Sequence, residues 1–192
     1  EGDFDGAIEM RDDLCKSKGW FNCNQFHNPL NITAHYETTG PEIHEDWSLP
    51  KIQGAYKRMD SPDVFVAGTG TGGTLMGTRK FLKEKWTDIK IVAVEPEESP
   101  VMSGGEPGLH GIQGIGDGSK FLVDLDKVDD VITIKTNCAK TVAKYLALKY
   151  GLFVGISAGA NVKAAFQWLR DNDKRNAITI LCDRGDRYLS CM

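Results

Sequence analysis

The feature that most constrains the fold of this chain is an alternation of short β-rich runs with helical stretches beyond Pro62. The predicted strands are apolar and β-branched, at residues 64–67, 89–94, 131–134, 152–155 and 177–181. The predicted helices have apolar residues at helical spacing, at residues 75–86, 138–150 and 158–169. Strands that alternate with helices form a parallel sheet. The sequence therefore predicts an α/β fold in three layers, with a mostly parallel sheet between helices on both faces.

The first third of the chain is organised differently. Residues 5–18 form a predicted helix with acids in its first turn and lysines in its last, and residues 20–26 form a predicted short strand. Pro29 pushes Asn28 out of helical space, so we place a crossing between two lobes near residues 27–30. The pattern at 41–59 predicts two short helices, because Pro50 and Gly54 interrupt it.

Composition excludes several classes of protein. The 192 residues are 41% hydrophobic and 26% charged, as in globular domains, and the net charge of −4 offers no basic stripe for nucleic acid. The apolar runs are far shorter than the ~20 residues of a membrane span. The five cysteines show no CxxC spacing, and we expect a reducing cytoplasm and no metal site. Because the chain begins at Glu1 without a methionine, we expect a processed or truncated product, and because it has no charged-then-apolar leader we expect no signal peptide at its start.

A glycine-rich loop, Gly68-Thr69-Gly70-Thr71-Gly72-Gly73-Thr74, lies between a predicted strand and a predicted helix. Free backbone N–H groups and the helix dipole make such a junction an anion site, and phosphate is its natural occupant. A turn that serves only strand-to-helix packing is the alternative. Gly68, Gly70 and Gly73 also satisfy the dinucleotide pattern GxGxxG, with Glu95 as its ribose-binding acid. The threonines in the loop and Pro96 after the acid weaken that interpretation.

Seven motifs occur in an order that is typical of one enzyme family. They are Asn24-Gln25-Phe26 with Asn28-Pro29, Thr38-Thr39-Gly40-Pro41-Glu42-Ile43, Gly68 to Thr74, Val94-Glu95-Pro96, Ile112-Gln113-Gly114-Ile115-Gly116, Gly155-Ile156-Ser157-Ala158-Gly159-Ala160, and Arg187-Tyr188-Leu189-Ser190. The chain resembles the cysteine synthase and cystathionine β-synthase family of pyridoxal-phosphate enzymes. The resemblance covers residues 5–190 and implies the fold of the tryptophan synthase β class, known as fold type II.

The resemblance implies a role for nine residues. The cofactor's phosphate would be held by Gly70, Thr71, Gly72, Gly73 and Thr74, and its ring nitrogen by Ser157, for which a helix N-cap is the alternative. The amino-acid substrate would be bound by Gln25, Phe26 and Gly114. A surface amide is the alternative for Gln25, and a plain flexible loop is the alternative for the segment that contains Gly114.

The chain departs from the family where the reactive lysine belongs. The family's Schiff-base lysine lies in an upstream motif that has no counterpart here, and Lys80, Lys83 and Lys85 follow the glycine loop on a helix predicted to run away from the site. Residues 1–28 would then be a remnant of the small N-terminal lobe, and residues 29–192 the large cofactor-binding lobe. We expect the chain alone to be inactive.

The resemblance also implies the reaction and the partners of the parent protein. It would be a homodimer that converts O-acetylserine or O-phosphoserine and sulfide to cysteine. Alternatives are a cystathionine or cysteine β-synthase, a β-lyase, a non-catalytic fragment and, remotely, an NAD-dependent oxidoreductase.

Several further residues have two interpretations. Arg184 could favour a phosphorylated serine, or it could be a solvated surface arginine. The segment 47–62 is longer than the usual family connection. Cys23 and Cys182 are predicted small core residues rather than nucleophiles. The four histidines are predicted solvent or loop residues, since they show no metal spacing; they are His27, His35, His44 and His110.

Overall fold

The computed structural model describes residues 4–49 and 61–191. Its six helices are α1 (Phe4–Lys18), α2 (Leu30–Glu37), α3 (Thr39–Ser48), α4 (Gly73–Lys85), α5 (Thr136–Tyr150) and α6 (Ile156–Asp171). Its four strands are β1 (Val64–Gly68), β2 (Lys90–Pro96), β3 (Asp130–Ile134) and β4 (Ala177–Thr179). The strands form one sheet in the order β3-β2-β1-β4, and every pair in it is parallel. Among the described residues, no helix is long and apolar enough to cross a membrane.

The two faces of the sheet bury two separate cores. Val64 and Val66 of β1 point to one face, where they pack with Ile156 and Trp168 of α6. Phe65, between the two valines, points to the opposite face and packs with residues of α4. Because side chains alternate across a strand, a strand that is apolar at every position is covered on both sides. The predicted three-layer arrangement is confirmed.

Asn161 of α6 connects the helix layer to the sheet. The backbone N–H of Gly68, at the end of β1, donates to Asn161 Oδ1 at 2.8 Å. Asn161 Nδ2 donates to the carbonyl oxygen of Ile180, just after β4, also at 2.8 Å. Asn161 is fully buried, so this amide exchanges water for two main-chain partners and fixes α6 beside the ends of both strands.

The predicted strand at 20–26 is wrong. Asn24 has φ 47, which breaks an extended run, and asparagine tolerates this left-handed conformation better than most residues. The Asn24 carbonyl oxygen accepts from the N–H groups of His27 and Asn28, so the chain turns there. The predicted strand at 152–155 is reduced to a single antiparallel bridge between Val154 and Arg184.

Helix α2 does not appear among the predicted elements, because Pro29 was interpreted as a break. Pro29 directly precedes Leu30 and already has helical dihedral angles, φ −64 and ψ −15. A proline at the start of a helix costs no hydrogen bond, because an N–H there has no intrahelical partner. Asn28 supports the start, since its Oδ1 accepts from the N–H of Leu30 at 3.0 Å. Of the two short helices predicted at 41–59, α3 accounts for the first, and the second lies outside the described residues.

Candidate functional site

The carboxyl end of β1 opens into a cavity of about 690 Å³. Its lining combines the glycine loop, the start of α6, the turn at 25–26, the loop at 113–117 and the segment after β4. Eight of the nine residues singled out from the sequence line it, namely Gln25, Phe26, Gly70, Thr71, Gly72, Thr74, Gly114 and Ser157. Gly73 is not among the lining residues. The predicted cofactor and substrate residues are therefore gathered at one place, where ligands of open α/β sheets bind.

The glycine loop forms a cradle at the N-terminus of α4. Gly72 precedes the helix with φ 88 and ψ −8, a left-handed conformation that favours glycine. The backbone N–H groups of Thr71, Thr74 and Leu75 donate no hydrogen bond within residues 4–49 and 61–191. Unpaired N–H groups at the positive end of a helix dipole are a binding site for an anion.

Close contacts leave no room for a side chain at Gly70 or Gly72 of this loop. A Cβ on Gly72 would lie 2.6 Å from Val123 Cγ2 and 2.9 Å from the backbone nitrogen of Val123. A Cβ on Gly70 would lie 2.7 Å from the carbonyl oxygen of Gly114. The loop at 113–123 thus packs directly against the cradle, and the N–H of Leu122 donates to the Thr71 carbonyl oxygen at 3.1 Å.

Helix α2 contacts the two threonines of the cradle that line the cavity. Asn31 Nδ2 donates to Thr71 Oγ1 at 3.0 Å, and His35 Nε2 lies 3.1 Å from Thr74 Oγ1. The other ring nitrogen of His35, Nδ1, lies 2.9 Å from Thr39 Oγ1. Burial lowers the pKa of His35. Sequence reasoning missed Asn31 and His35 because it did not predict α2, on which they lie one turn apart.

Ser157 lies in the first turn of α6 and is 4% exposed. The N-cap of this helix is Gly155, so the structure does not place Ser157 in the capping position that the sequence left open. The Cys182 thiol is a neighbour of the Ser157 hydroxyl. Burial raises the pKa of the Cys182 thiol, and the hydrogen bond from Ser157 partly opposes this.

Phe26 and Gln25 form the wall of the cavity at the turn after Asn24. Phe26 is buried, and its ring centroid lies 4.7 Å from that of Phe121. The Gln25 carbonyl oxygen accepts from Asn31 Nδ2 at 3.0 Å, while its exposed side chain lines the cavity. The turn is therefore attached to α2, which also contacts the cradle.

Asp117 lines the cavity and was missed from the sequence. Its Oδ2 atom would lie 3.3 Å from a Cβ on Gly70, so the carboxyl group faces the cradle. Burial raises the pKa of Asp117, and the charge of His110 opposes that shift. Its only sequence signal is its place between Gly116 and Gly118, in a loop that was singled out for its glycines.

The segment after β4 brings polar groups to the opposite wall. The Tyr188 hydroxyl donates to Asp183 Oδ2, and burial together with this bond raises the pKa of Tyr188 to about 12. Arg187 lines the cavity. Arg184 does not line it; its side chain is 81% exposed and pairs with Asp186 at 3.3 Å. Arg184 therefore lies at the surface, as in the second of its two interpretations. The arginine that lines the cavity is Arg187.

Other predictions about single residues need correction. Cys23 and Cys182 lie outside the buried cores, since the segments that carry them are not sheet strands, and Cys182 lines the cavity instead. Of the histidines, His35 and His44 lie on helices α2 and α3, and His44 stacks on Trp86 with ring centroids 5.1 Å apart. Residues 4–49 and 61–191 contain no cluster of three or more potential metal ligands.

Glu95 has a structural role that does not fit a ribose ligand. It is 2% exposed, and its Oε2 accepts from the N–H of Met102 at 2.7 Å. Its Oε1 accepts from both the N–H and the hydroxyl of Ser103, at 2.9 and 2.6 Å. Both carboxylate oxygens therefore bind the loop that follows β2. Glu95 is then not available as the ribose-binding acid that a dinucleotide site would need.

Comparison with known proteins gives the class to which this fold and site belong. The family described as "Pyridoxal-phosphate dependent enzyme" matches residues 1–183, and the chain belongs to this family. Its relatives include the cysteine synthase of Staphylococcus aureus, which is 40% identical over 189 residues. That match covers 96% of this chain and 57% of the relative. The resemblance inferred from the seven motifs is confirmed, and pyridoxal phosphate is the cofactor of the family.

Solved structures agree with this assignment. A cysteine synthase from Entamoeba histolytica matches with a TM-score of 0.85 and 38% identity, over 97% of this chain and 53% of that one. An O-acetylserine-dependent cystathionine β-synthase from Helicobacter pylori matches with a TM-score of 0.78 and 35% identity, over 98% of this chain and 58% of that one. The fold is therefore that of fold type II enzymes, and the chain spans just over half the length of the relatives it matches.

The residues present fit the cofactor of the family. The cradle offers unpaired N–H groups and two hydroxyls to a phosphate, at a place where Cβ atoms on Gly70 and Gly72 would collide with the neighbouring loop. Ser157, which lines the same cavity, offers a neutral hydroxyl. The phosphate and the ring nitrogen are two of the polar groups by which a protein can hold pyridoxal phosphate.

Proposed function

We propose that the protein containing this chain replaces the β-substituent of an activated serine, O-acetylserine or O-phosphoserine, by sulfide to form cysteine. The observation that carries the proposal is that one cavity of about 690 Å³ collects the glycine cradle, Ser157 and the turn at Gln25. These are the groups needed for a phosphate, a ring nitrogen and an amino-acid substrate. The relatives named cysteine synthase support the same reaction.

The cofactor-binding part of the proposal assigns the phosphate to residues Gly70–Thr74 and the ring nitrogen to Ser157. Bound there, pyridoxal phosphate supplies an electron sink for reactions at the α- and β-carbons of an amino acid. A serine hydroxyl leaves the ring nitrogen largely unprotonated, whereas a carboxylate would hold it charged. Ser157 thus tunes the ring toward elimination and replacement at the β-carbon.

The substrate-binding part assigns Gln25, Phe26 and Gly114. The Gln25 amide can donate to the substrate carboxylate, and the rings of Phe26 and Phe121 exclude water from that end of the cavity. Gly114 has φ 86, and a Cβ there would meet nothing within 4 Å, so the loop at 113–117 has room to close over a substrate.

The reactive lysine is proposed to lie outside this chain, because the family's Schiff-base motif has no counterpart in the sequence. Within residues 4–49 and 61–191, no lysine is among the cavity-lining residues. Lys83 pairs with Asp129 at 3.8 Å, and Lys80 lies over the Tyr36 ring, 4.3 Å from its centroid. We therefore propose that the chain alone is inactive, with residues 1–28 belonging to the small lobe and residues 29–192 to the large one. A homodimeric, cytoplasmic parent protein is part of the same proposal.

Borohydride reduction tests the cofactor assignment and the lysine assignment together. We expect the purified chain to bind pyridoxal phosphate, measured by equilibrium dialysis, with inorganic phosphate competing for the site. Reduction should then label no lysine peptide stoichiometrically, as read by mass spectrometry, because the reactive amine is absent. Failure to bind would contradict the cofactor site. A stoichiometric label on one lysine would contradict the proposed inactivity and identify the reactive residue.

The two arginines after β4 give a matched test of the activated serine. If O-phosphoserine is a substrate, Arg187→Ala should lower its kcat/KM about tenfold or more and leave O-acetylserine nearly unchanged, because one charge-assisted contact to the phosphoryl group is lost. Arg184→Ala is the control, since Arg184 lies outside the cavity lining. Steady-state assays of the complete protein with sulfide measure both ratios. An equal effect of the two variants would contradict the assignment of Arg187.

A cystathionine β-synthase activity is the second candidate, favoured by the Helicobacter pylori relative. The same assay separates the two reactions when sulfide and a thiol-bearing amino acid are offered in turn. If product forms faster with the amino-acid thiol than with sulfide, the main activity is thioether synthesis and not cysteine synthesis.

A further inference from the structure

We propose that Asn31 and His35 of α2 are positioning residues that orient the hydroxyl hydrogens of Thr71 and Thr74 toward a bound phosphate. The inference rests on the proposed function, since it takes the glycine cradle as the phosphate site. The glycine loop by itself does not determine where the hydroxyl hydrogens of Thr71 and Thr74 point, and α2 supplies the side chains that do. A threonine hydroxyl has one hydrogen, and it serves an anion only if no neighbouring acceptor takes that hydrogen first.

Asn31 determines the direction of the first hydrogen bond. Its Nδ2 atom lies 3.0 Å from the Gln25 carbonyl oxygen and 3.0 Å from Thr71 Oγ1. A carbonyl oxygen only accepts, so the amide nitrogen must face it. The same nitrogen then donates to Thr71 Oγ1, which accepts and keeps its own hydrogen free for the cavity.

His35 determines the second direction through its tautomer. With the proton on Nε2, the ring donates to Thr74 Oγ1 and leaves the Thr74 hydrogen free. With the proton on Nδ1, Nε2 would accept that hydrogen and remove it from the cavity. The Thr39 hydroxyl, 2.9 Å from Nδ1, can donate to the bare atom in the first state. A phosphate in the cradle favours that state, because it takes the Thr74 hydrogen. Burial lowers the pKa of His35, which favours the neutral ring with a single proton.

The geometry explains why two residues on one helix act together. Asn31 and His35 are four positions apart and so lie on the same face of α2. A Cβ on Gly73 would collide with the Asn31 side chain, and a Cβ on Gly77 would lie 2.7 Å from the Cβ of His35. Small residues on α4 therefore let α2 approach closely enough for both side chains to reach the cradle.

Two substitutions of His35 distinguish a role in orienting the Thr74 hydroxyl from a general effect on the structure of the chain. A glutamine side chain can present its amide N–H where Nε2 lies, whereas the shorter asparagine matches only Nδ1 and falls short of Thr74. We expect His35→Asn to weaken binding of pyridoxal phosphate to the chain about tenfold, the loss of one hydrogen bond to a charged group. His35→Gln should retain most of the affinity, and binding of pyridoxal, which lacks the phosphate, should not change in either variant.

The double substitution tests that the effect passes through Thr74. In a Thr74→Val background, His35→Asn should cause no further loss, because the hydroxyl that it positions is gone. Thr33→Ala is the control variant, since Thr33 is exposed on the same helix. Full binding by His35→Asn would overturn the inference while leaving the cofactor site intact. Absence of binding by the unsubstituted chain would overturn the cofactor site and the inference together.

A spectroscopic measurement on the unsubstituted chain keeps the inference testable if a variant does not fold. Nitrogen-15 NMR of the imidazole distinguishes the two tautomers of a neutral histidine. With pyridoxal phosphate bound to the chain, we expect His35 to carry its proton on Nε2. A ring protonated mainly on Nδ1 in the unsubstituted chain with the cofactor bound would overturn the role of His35.

Discussion

Replacing Gly159 by alanine lowers the free energy of unfolding by about 3 kcal/mol, at the upper end of the cost of overpacking a core. Gly159 lies where α6 crosses α5. A Cβ there would collide with the carbonyl oxygen of Ala139 and lie 2.9 Å from the backbone nitrogen of Ala143. Because both obstacles are main-chain atoms of a helix, no side chain can turn aside, and the two helices must separate. Urea denaturation followed by circular dichroism measures the loss.

Gly6→Ala is the matched control for this prediction. Gly6 also lies within a helix, α1, but a Cβ there would meet nothing within 4 Å. Alanine in a helix interior is favoured over glycine, so this variant should gain up to about 1 kcal/mol. Opposite signs for the same chemical change would show that the close contact of α5 and α6 causes the effect. Equal stability of Gly159→Ala and the unsubstituted chain would contradict the packing.

Gly72→Ala should weaken binding of pyridoxal phosphate about 100-fold or more, the equivalent of two lost hydrogen bonds to a charged group. Gly72 has φ 88, and a Cβ on it would lie 2.6 Å from Val123 Cγ2. Alanine at this position combines backbone strain with a collision, so the loop must shift. The shift moves the unpaired N–H groups of the cradle away from the phosphate. Equilibrium dialysis with pyridoxal phosphate measures the change.

Gly104→Ala separates strain from collision. Gly104 has φ 85, close to that of Gly72, but a Cβ there would lie in open space. This variant should lose about 1 to 2 kcal/mol of stability through its backbone conformation and bind the cofactor normally. If Gly104→Ala impaired binding as much as Gly72→Ala, the effect would be global and the cradle assignment would lose its support.

The sheet was predictable because local pattern and tertiary environment agree there. Residues 64–67 are a continuous apolar run, and in the predicted strand 89–94 the only polar residue is Lys90, near its start. An apolar run with no polar face fits a strand that is covered on both sides. The prediction failed at 20–26, where Asn24 turns the chain. It also failed at α2, where a proline suited to a helix start was interpreted as a break. In both places one residue at an element's end determined the outcome, and ends carry the weakest sequence signal.

The sequence by itself determined the three-layer α/β fold and the family, and it indicated the two groups that we propose to hold the cofactor. It did so because a strand–glycine–helix junction and a serine near a helix start have a local chemistry that does not depend on distant residues. Only the tertiary structure decided which side chains lie beside those groups. Asn31 and His35 lie about 40 residues before the threonines they contact, and Asp117 and Arg187 reach the cavity from loops on either side. Such contacts depend on packing between elements, which no spacing in the chain records.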